Sequence, residues 1–167
     1  MSMDPQLKKQ VLRTFTYGLY VVSCADEGEV NAFTANWLSQ VSFDPPLVAV
    51  SIENKTKSLP MILHSGAFVV NVLRTDAQDE QKPNRALAGT LGRSALKVPD
   101  KLVGIEYEIG PDGAPILRTA LAWVACKVRH TVEAGDSTLV VGEVVDLGML
   151  GEGQSLTMNE AGFRHAG

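Results

Sequence analysis

A chain of 167 residues, 45% of them hydrophobic, is long enough to bury one self-sufficient core. Its formal net charge of -4 leaves no basic footprint, which disfavours nucleic acid or an anionic membrane surface as a partner. No apolar run approaches the roughly 18 residues of a membrane span, and the polar stretch Met1–Lys9 lacks a secretory apolar core, so a cytoplasmic protein is expected.

In chain order, Leu7, Val11, Leu12 and Phe15 recur at helical spacing behind Pro5, predicting a short amphipathic helix from Pro5 to about Phe15. After Gly18, Leu19 to Cys24 reads as a strand. Asp26-Glu27-Gly28-Glu29 turns it into a second strand that runs through Asn31 to about Leu38, and this turn chemistry predicts a hairpin. An irregular stretch follows, ended by Pro45-Pro46. Leu47 to Ile52 is continuously apolar, as expected of a strand buried on both faces. Ser58 is placed to cap a short helix from Leu59 to His64, with Gly66 as its stop.

Ala67 to Leu73 reads as another strand. Thr75 to Leu102 is polar and helical in places, interrupted by Pro83 and Pro99. Strands resume from Ile105, with a turn at Gly110-Pro111-Asp112-Gly113. Two long strands, Leu121 to His130 and Thr138 to Leu150, are joined by Glu133 to Ser137, and the tail beyond Gly151 reads as loop. Six or seven strands without βαβ alternation predict a mainly β domain with a few short helices, a mostly antiparallel barrel or sandwich. Cys24 and Cys126 sit far apart in apolar segments and read as two small buried thiols.

No nucleophile motif, phosphate loop or metal-binding pattern occurs, and the histidines at 64, 130 and 165 are scattered. No catalytic side chain and no metal are expected. Two segments carry binding chemistry. In the first, Ala32 to Ser42, small and amide residues offer hydrogen bonds to a planar heterocycle, and Trp37 offers a surface to stack beside it. In the second, Ser51 to Ser58, hydroxyls and two lysines lead straight into a helix N-terminus, a ready phosphate site. One buried strand fixes their separation.

Gly18-Leu19-Tyr20-Val21-Val22-Ser23, Ala32-Phe33-Thr34-Ala35-Asn36-Trp37, Val41-Ser42-Phe43-Asp44-Pro45-Pro46-Leu47 and Ser65-Gly66 through Leu73 together resemble the flavin reductase-like family. Gly135-Asp136 before Thr138 to Val144 is similar to its later strand motif, so the likeness runs from about residue 10 to 150 and is most specific in its first half. It implies an FMN-binding split β-barrel, 1–167 as one domain, and a homodimer with flavin at the subunit interface. It implies either an NAD(P)H:flavin oxidoreductase feeding a monooxygenase or a flavoredoxin-like electron carrier, with NADH or NADPH as donor and the Gly-Leu-Tyr-Val-Val opening closer to the carriers. A non-catalytic flavin- or haem-binding split barrel is the alternative. Pyridoxamine-phosphate-oxidase-like chemistry shares the fold, but the Asp44-Pro45-Pro46-Leu47 and Ser65-Gly66 motifs favour the reductase side.

By position, the likeness assigns Thr34, Asn36, Trp37, Ser39, Gln40 and Val41 to the isoalloxazine and ribityl chain. It assigns Ser51, Asn54, Lys55 and Ser58 to the phosphate, and Phe163 to a cover over the ring. Arg93 or Lys97 would add charge nearby. The chain departs from the family at Ser137, where many relatives carry histidine, which weakens the case for direct pyridine-nucleotide oxidation.

Overall fold

The computed structural model describes residues 3–95, 97–98 and 100–164. Apolar and β-branched runs form β1 (Tyr20–Asp26), β2 (Glu29–Ala35), β3 (Leu38–Phe43), β4 (Pro46–Glu53) and β5 (Ala67–Leu73). After the short pair β6 (Tyr107–Ile109) and β7 (Pro115–Leu117) come the long strands β8 (Ala120–Ala134) and β9 (Ser137–Met149). Among the described residues four α-helices punctuate them: α1 (Pro5–Leu12), α2 (Ser58–Ser65), α3 (Pro83–Leu91) and α4 (Met158–Ala161).

Seven strands form one sheet in the order β2-β1-β5-β8-β9-β4-β3, every neighbouring pair antiparallel. Its two edge strands are consecutive in sequence. Only Asn36 and Trp37 separate Ala35 from Leu38, so the facing ends of the two edges lie within about 11 Å of each other, three Cα–Cα steps of about 3.8 Å. The sheet must therefore roll up. It does not close by hydrogen bonding, because β2 and β3 do not pair. Inside the roll, Val22, Val50, Ile52, Phe68 and Val140 form the main core, sealed by Leu59, Met61 and Ile62 of α2. A second cluster around Leu19, Leu73, Leu91, Leu117 and Leu156 binds α3 and the C-terminal tail to the sheet's other side.

Several expectations are corrected. α1 stops at Leu12 rather than near Phe15, because the Thr14 hydroxyl and amide both turn back to the Val11 carbonyl. None of its residues is buried, so its apolar stripe is unused within this chain. The stretch expected to be irregular is strand β3, pairing with β4; Ser39, Gln40 and Ser42 hid it, since an edge strand open to solvent needs no apolar alternation. Ser58 is not the cap of α2. Lys57 holds that position without a side-chain bond, while the buried Ser58 hydroxyl accepts from Asn31 Nδ2 at 2.9 Å. Gly66 does end the helix, in the left-handed region at φ 70°. Pro83 begins α3 rather than interrupting a helix.

The tail is also more than a loop. Single bridges join Gly18 to Thr157 and Arg74 to Ser155, Leu156 is buried, and Thr157 caps α4.

Cys24 and Cys126 are free and buried. Burial pushes the two thiols up to about 11 and about 12. At pH 8 neither should react with a soluble thiol reagent in native protein, and both should react after unfolding; rapid native labelling, read by mass, would contradict that. Among the described residues no helix is long and apolar enough to cross a membrane.

Candidate functional site

The end of β2, the strand β4 and the β4–α2 loop form one wall of a cleft of about 700 Å³. The C-terminal half of α3 and Phe163 form the other. This volume lies within the range of small-molecule and cofactor sites.

At one end, near the open seam of the sheet, Trp37 is held by its backbone: its carbonyl accepts from Ser51 N at 2.9 Å, extending the β3–β4 ladder by one step. Beside it, Asn36 places a buried side-chain amide, Nδ2, with no hydrogen-bond partner. A buried donor without a partner is costly unless something satisfies it, and Asn36 is among the residues that line the cleft. Thr34, two residues back, donates to the Ala88 carbonyl at 2.6 Å and so ties α3 to β2. Phe163 closes the α3 side. Its amide donates to the Met158 carbonyl past the left-handed Gly162, and its ring lies against Gly89.

At the other end stand Ser58, on the first turn of α2, and Lys55 in the loop before it. Asn31, bonded to Ser58, and Lys101 also line the cleft, and both are buried. The Lys101 ammonium donates to the Leu91 carbonyl at 3.0 Å, and burial lowers its pKa. The cleft is cationic on an acidic protein: Lys55, Lys57, Arg93, Lys101 and Arg164 line it against the single carboxylate of Glu53. Of these, Lys57 is committed to an ion pair with Glu29. An apolar and aromatic end joined to a cationic, hydroxyl-bearing end suits a planar heterocycle that carries a phosphate.

Of the residues expected at the site, the structure gathers Thr34, Asn36, Trp37, Ser51, Lys55, Ser58 and Phe163 around this cleft, together with Arg93. Lys97 is not part of its lining. Ser39, Gln40 and Val41 lie on exposed β3, where the Ser39 hydroxyl and Gln40 amide bond to their own strand. Asn54 points the other way. It pins the β8–β9 turn through the Gly135 and Asp136 carbonyls and the Thr138 hydroxyl. Ser137 opens β9 opposite Glu53, with its hydroxyl donating to Asp136 Oδ1 at 3.1 Å, and it does not line the cleft. Asn31 and Lys101 were missed. In sequence they are a polar residue in a strand and a lysine in a polar loop, and neither carries a local signal.

Among the described residues no cluster of His, Cys, Asp and Glu could hold a metal ion. Among the described residues no histidine lines the cleft: His64 pairs with Asp26 and His130 lies on the exposed half of β8, while His165 is outside the described residues. The donor set, an amide, hydroxyls and cations beside aromatic rings, fits a flavin.

Known proteins point the same way. Residues 12–167 match the family described as flavin reductase like domain. A flavin reductase of Pseudomonas putida is 32% identical over 97% of this chain and 90% of its own length. An NADH-dependent flavin reductase of a Rhodococcus species is 32% identical over 98% of this chain and 89% of its own. A probable flavin reductase of Rhizobium meliloti is 30% identical, but the match spans only 42% of that longer protein. Among solved structures, a flavin reductase in its native state superposes with a TM-score of 0.75 at 34% identity, covering 98% of both chains. The flavin reductase component of a bacterial two-component tryptophan halogenase superposes with a TM-score of 0.78 at 26% identity, covering 95% of both chains. With its rolled antiparallel sheet and a cationic cleft at the seam, the chain belongs to the flavin reductase-like family and is a flavin-dependent oxidoreductase.

Proposed function

We propose that this chain, acting as a single domain over its whole length, holds FMN in the cleft and reduces it with NADH or NADPH. The reduced flavin would then serve a partner enzyme. The observation that carries the placement is the cleft itself, with an orphaned amide at its aromatic end and cations and a serine hydroxyl at its α2 end. Flavin supplies the redox chemistry when bound, accepting a hydride and passing electrons on.

The protein's own residues bind and orient. In this reading the Asn36 amide donates to the heterocycle's polar edge, with Trp37 packed beside it. Ser51, Lys55 and Ser58 receive the phosphate, and Phe163 covers the ring and excludes water. No side chain need act as a general acid or base, in keeping with the absence of a nucleophile–base pair in the sequence.

A homodimer is part of the proposal. Val41 and Phe43 on β3, Val132 on β8, and Val145, Leu147 and Met149 on β9 are exposed apolar residues of one sheet. A second copy seated there would cover them and place Ser39, Gln40 and Val41 against a neighbouring cleft. A partner enzyme is favoured because relatives of this chain include the reductase subunit of a flavin-dependent monooxygenase in Rhodococcus jostii and a reductase component of a two-component halogenase. The cytoplasm, where pyridine nucleotides are at hand, is the compartment this reaction implies.

The test is a visible spectrum of protein mixed with FMN, followed by anaerobic addition of NADH and then NADPH. Bound oxidised flavin that bleaches within seconds is the expected result. Flavin that binds but stays oxidised with both nucleotides would mark a carrier fed by another protein, and Ser137 would be the residue to convert to histidine. Failure to bind FMN would refute the placement.

A further inference from the structure

The cleft holds one group that neither the sequence nor the family resemblance singled out. Lys101 is only 5% exposed, yet among the described residues its ammonium has no carboxylate partner. Its hydrogen bond goes to the Leu91 carbonyl at the end of α3, which uses one of three donors. Capping a helix does not require burying a charge, since a solvated lysine or water would satisfy that carbonyl equally well. A buried cation without a counter-ion is costly, and the usual compensation is an anion. The remaining donors stand beside a cleft that is open to ligand.

Neighbours place it along that cleft. Asn31, paired with Cys24 across β1 and β2, lines the same cleft as Lys101 and Ser58. Asn31 in turn bonds Ser58. The ammonium is therefore tied to the end of α3 in the cleft that Lys55 and Ser58 also line.

We propose that Lys101 is a phosphate-binding residue of this cleft, supplying from beneath the positive charge that fixes the 5′-phosphate of FMN. The inference rests on the flavin reading above and adds a residue to it. An ammonium already desolvated by the fold forms a stronger charge-assisted bond than a surface lysine, and it discriminates by charge rather than by shape. FMN and riboflavin differ in the phosphate alone, so they separate this role from any contact with the ring.

The experiment compares FMN and riboflavin affinities by fluorescence titration in wild type, Lys101→Met and Lys101→Gln. FMN affinity should fall about 10–100-fold in both variants, the range for losing a charged hydrogen bond, while riboflavin affinity stays within about twofold. A merely structural role at the end of α3 would weaken both flavins alike, and that result overturns the proposal, as does an unchanged FMN affinity. Should neither variant fold, wild type still answers: FMN should slow methylation of Lys101, read by peptide mass spectrometry, far more than riboflavin does, and equal protection overturns it. Wild-type protein that binds neither flavin would instead sink the flavin reading itself.

Discussion

Replacing Phe68 by Ala is expected to lower folding stability by about 3–5 kcal/mol, the usual cost of emptying a buried aromatic site. Phe68 is 1% exposed and sits in β5 opposite Cys126, in one core cluster with Val22 of β1, Val50 and Ile52 of β4 and Val140 of β9. Its ring also explains Gly142 in β9. A Cβ at that position would lie 2.6 Å from Phe68 Cε1 and 2.8 Å from Cys126 Cβ, closer than carbon atoms approach. Gly142→Ala is accordingly expected to cost about 1–3 kcal/mol by overpacking. In the double variant the new methyl enters the space the ring has left, so that variant's loss should fall short of the sum of the two single losses by about 1 kcal/mol or more. Chemical denaturation of the four proteins measures this cycle. Strict additivity would mean that the ring and the glycine do not meet.

The second expectation concerns ligand linkage. FMN at 100 times its dissociation constant should stabilise the folded chain by about 2.7 kcal/mol, because it binds the native cleft and not the unfolded chain. For a protein of this length each kcal/mol moves the midpoint by about 2–4 °C, so thermal melting should shift upward by about 5–11 °C. The effect depends on the cleft being assembled from distant segments: β2, the β4–α2 loop, α3 and the tail. Those segments are far apart in an unfolded chain, and no fragment presents the site. An unchanged midpoint at saturating FMN would show that the cleft is not where flavin binds. If the site also lies at a dimer interface, the shift should grow with protein concentration.

These two expectations draw on different layers of the molecule. The first uses packing that any antiparallel roll of this kind requires. The second uses polar groups of the cleft, among them the Asn36 amide without a partner and the buried Lys101 ammonium. Core residues hold β2 and β4 at a fixed separation, and the cleft inherits its dimensions from that spacing.

Local chemistry was enough to mark most elements. The β-branched run Ala67 to Leu73 is strand β5, and Leu47 to Ile52 lies within β4 with Val48, Ala49 and Val50 all buried. Gly66 ends α2 because a left-handed residue is needed there. Short-range order of this kind depends on neighbours within a few residues, and a sequence displays those neighbours directly. The family likeness drew on the same local runs, and it marked Thr34, Asn36, Trp37, Ser51, Lys55, Ser58 and Phe163, which the fold gathers round one cleft.

Only the tertiary structure decided the rest. Strand β3 carries polar residues because it is an exposed edge, so no alternation announces it, and its pairing with β4 is what reveals it. Ser58 looks like a cap in sequence, but its hydroxyl is claimed by Asn31, 27 residues away. Asn54 reads as a phosphate ligand from its loop, yet it is turned to the β8–β9 hairpin 81 residues on. Lys101 carries no local signal, and its burial and its bond to the Leu91 carbonyl exist only in the folded chain. Which polar side chains face a cavity, and which brace the scaffold, is set by partners that meet once the sheet has rolled up. The sequence determines the strands and their chemistry; the long-range closure determines which of those groups are left with a hydrogen bond to give.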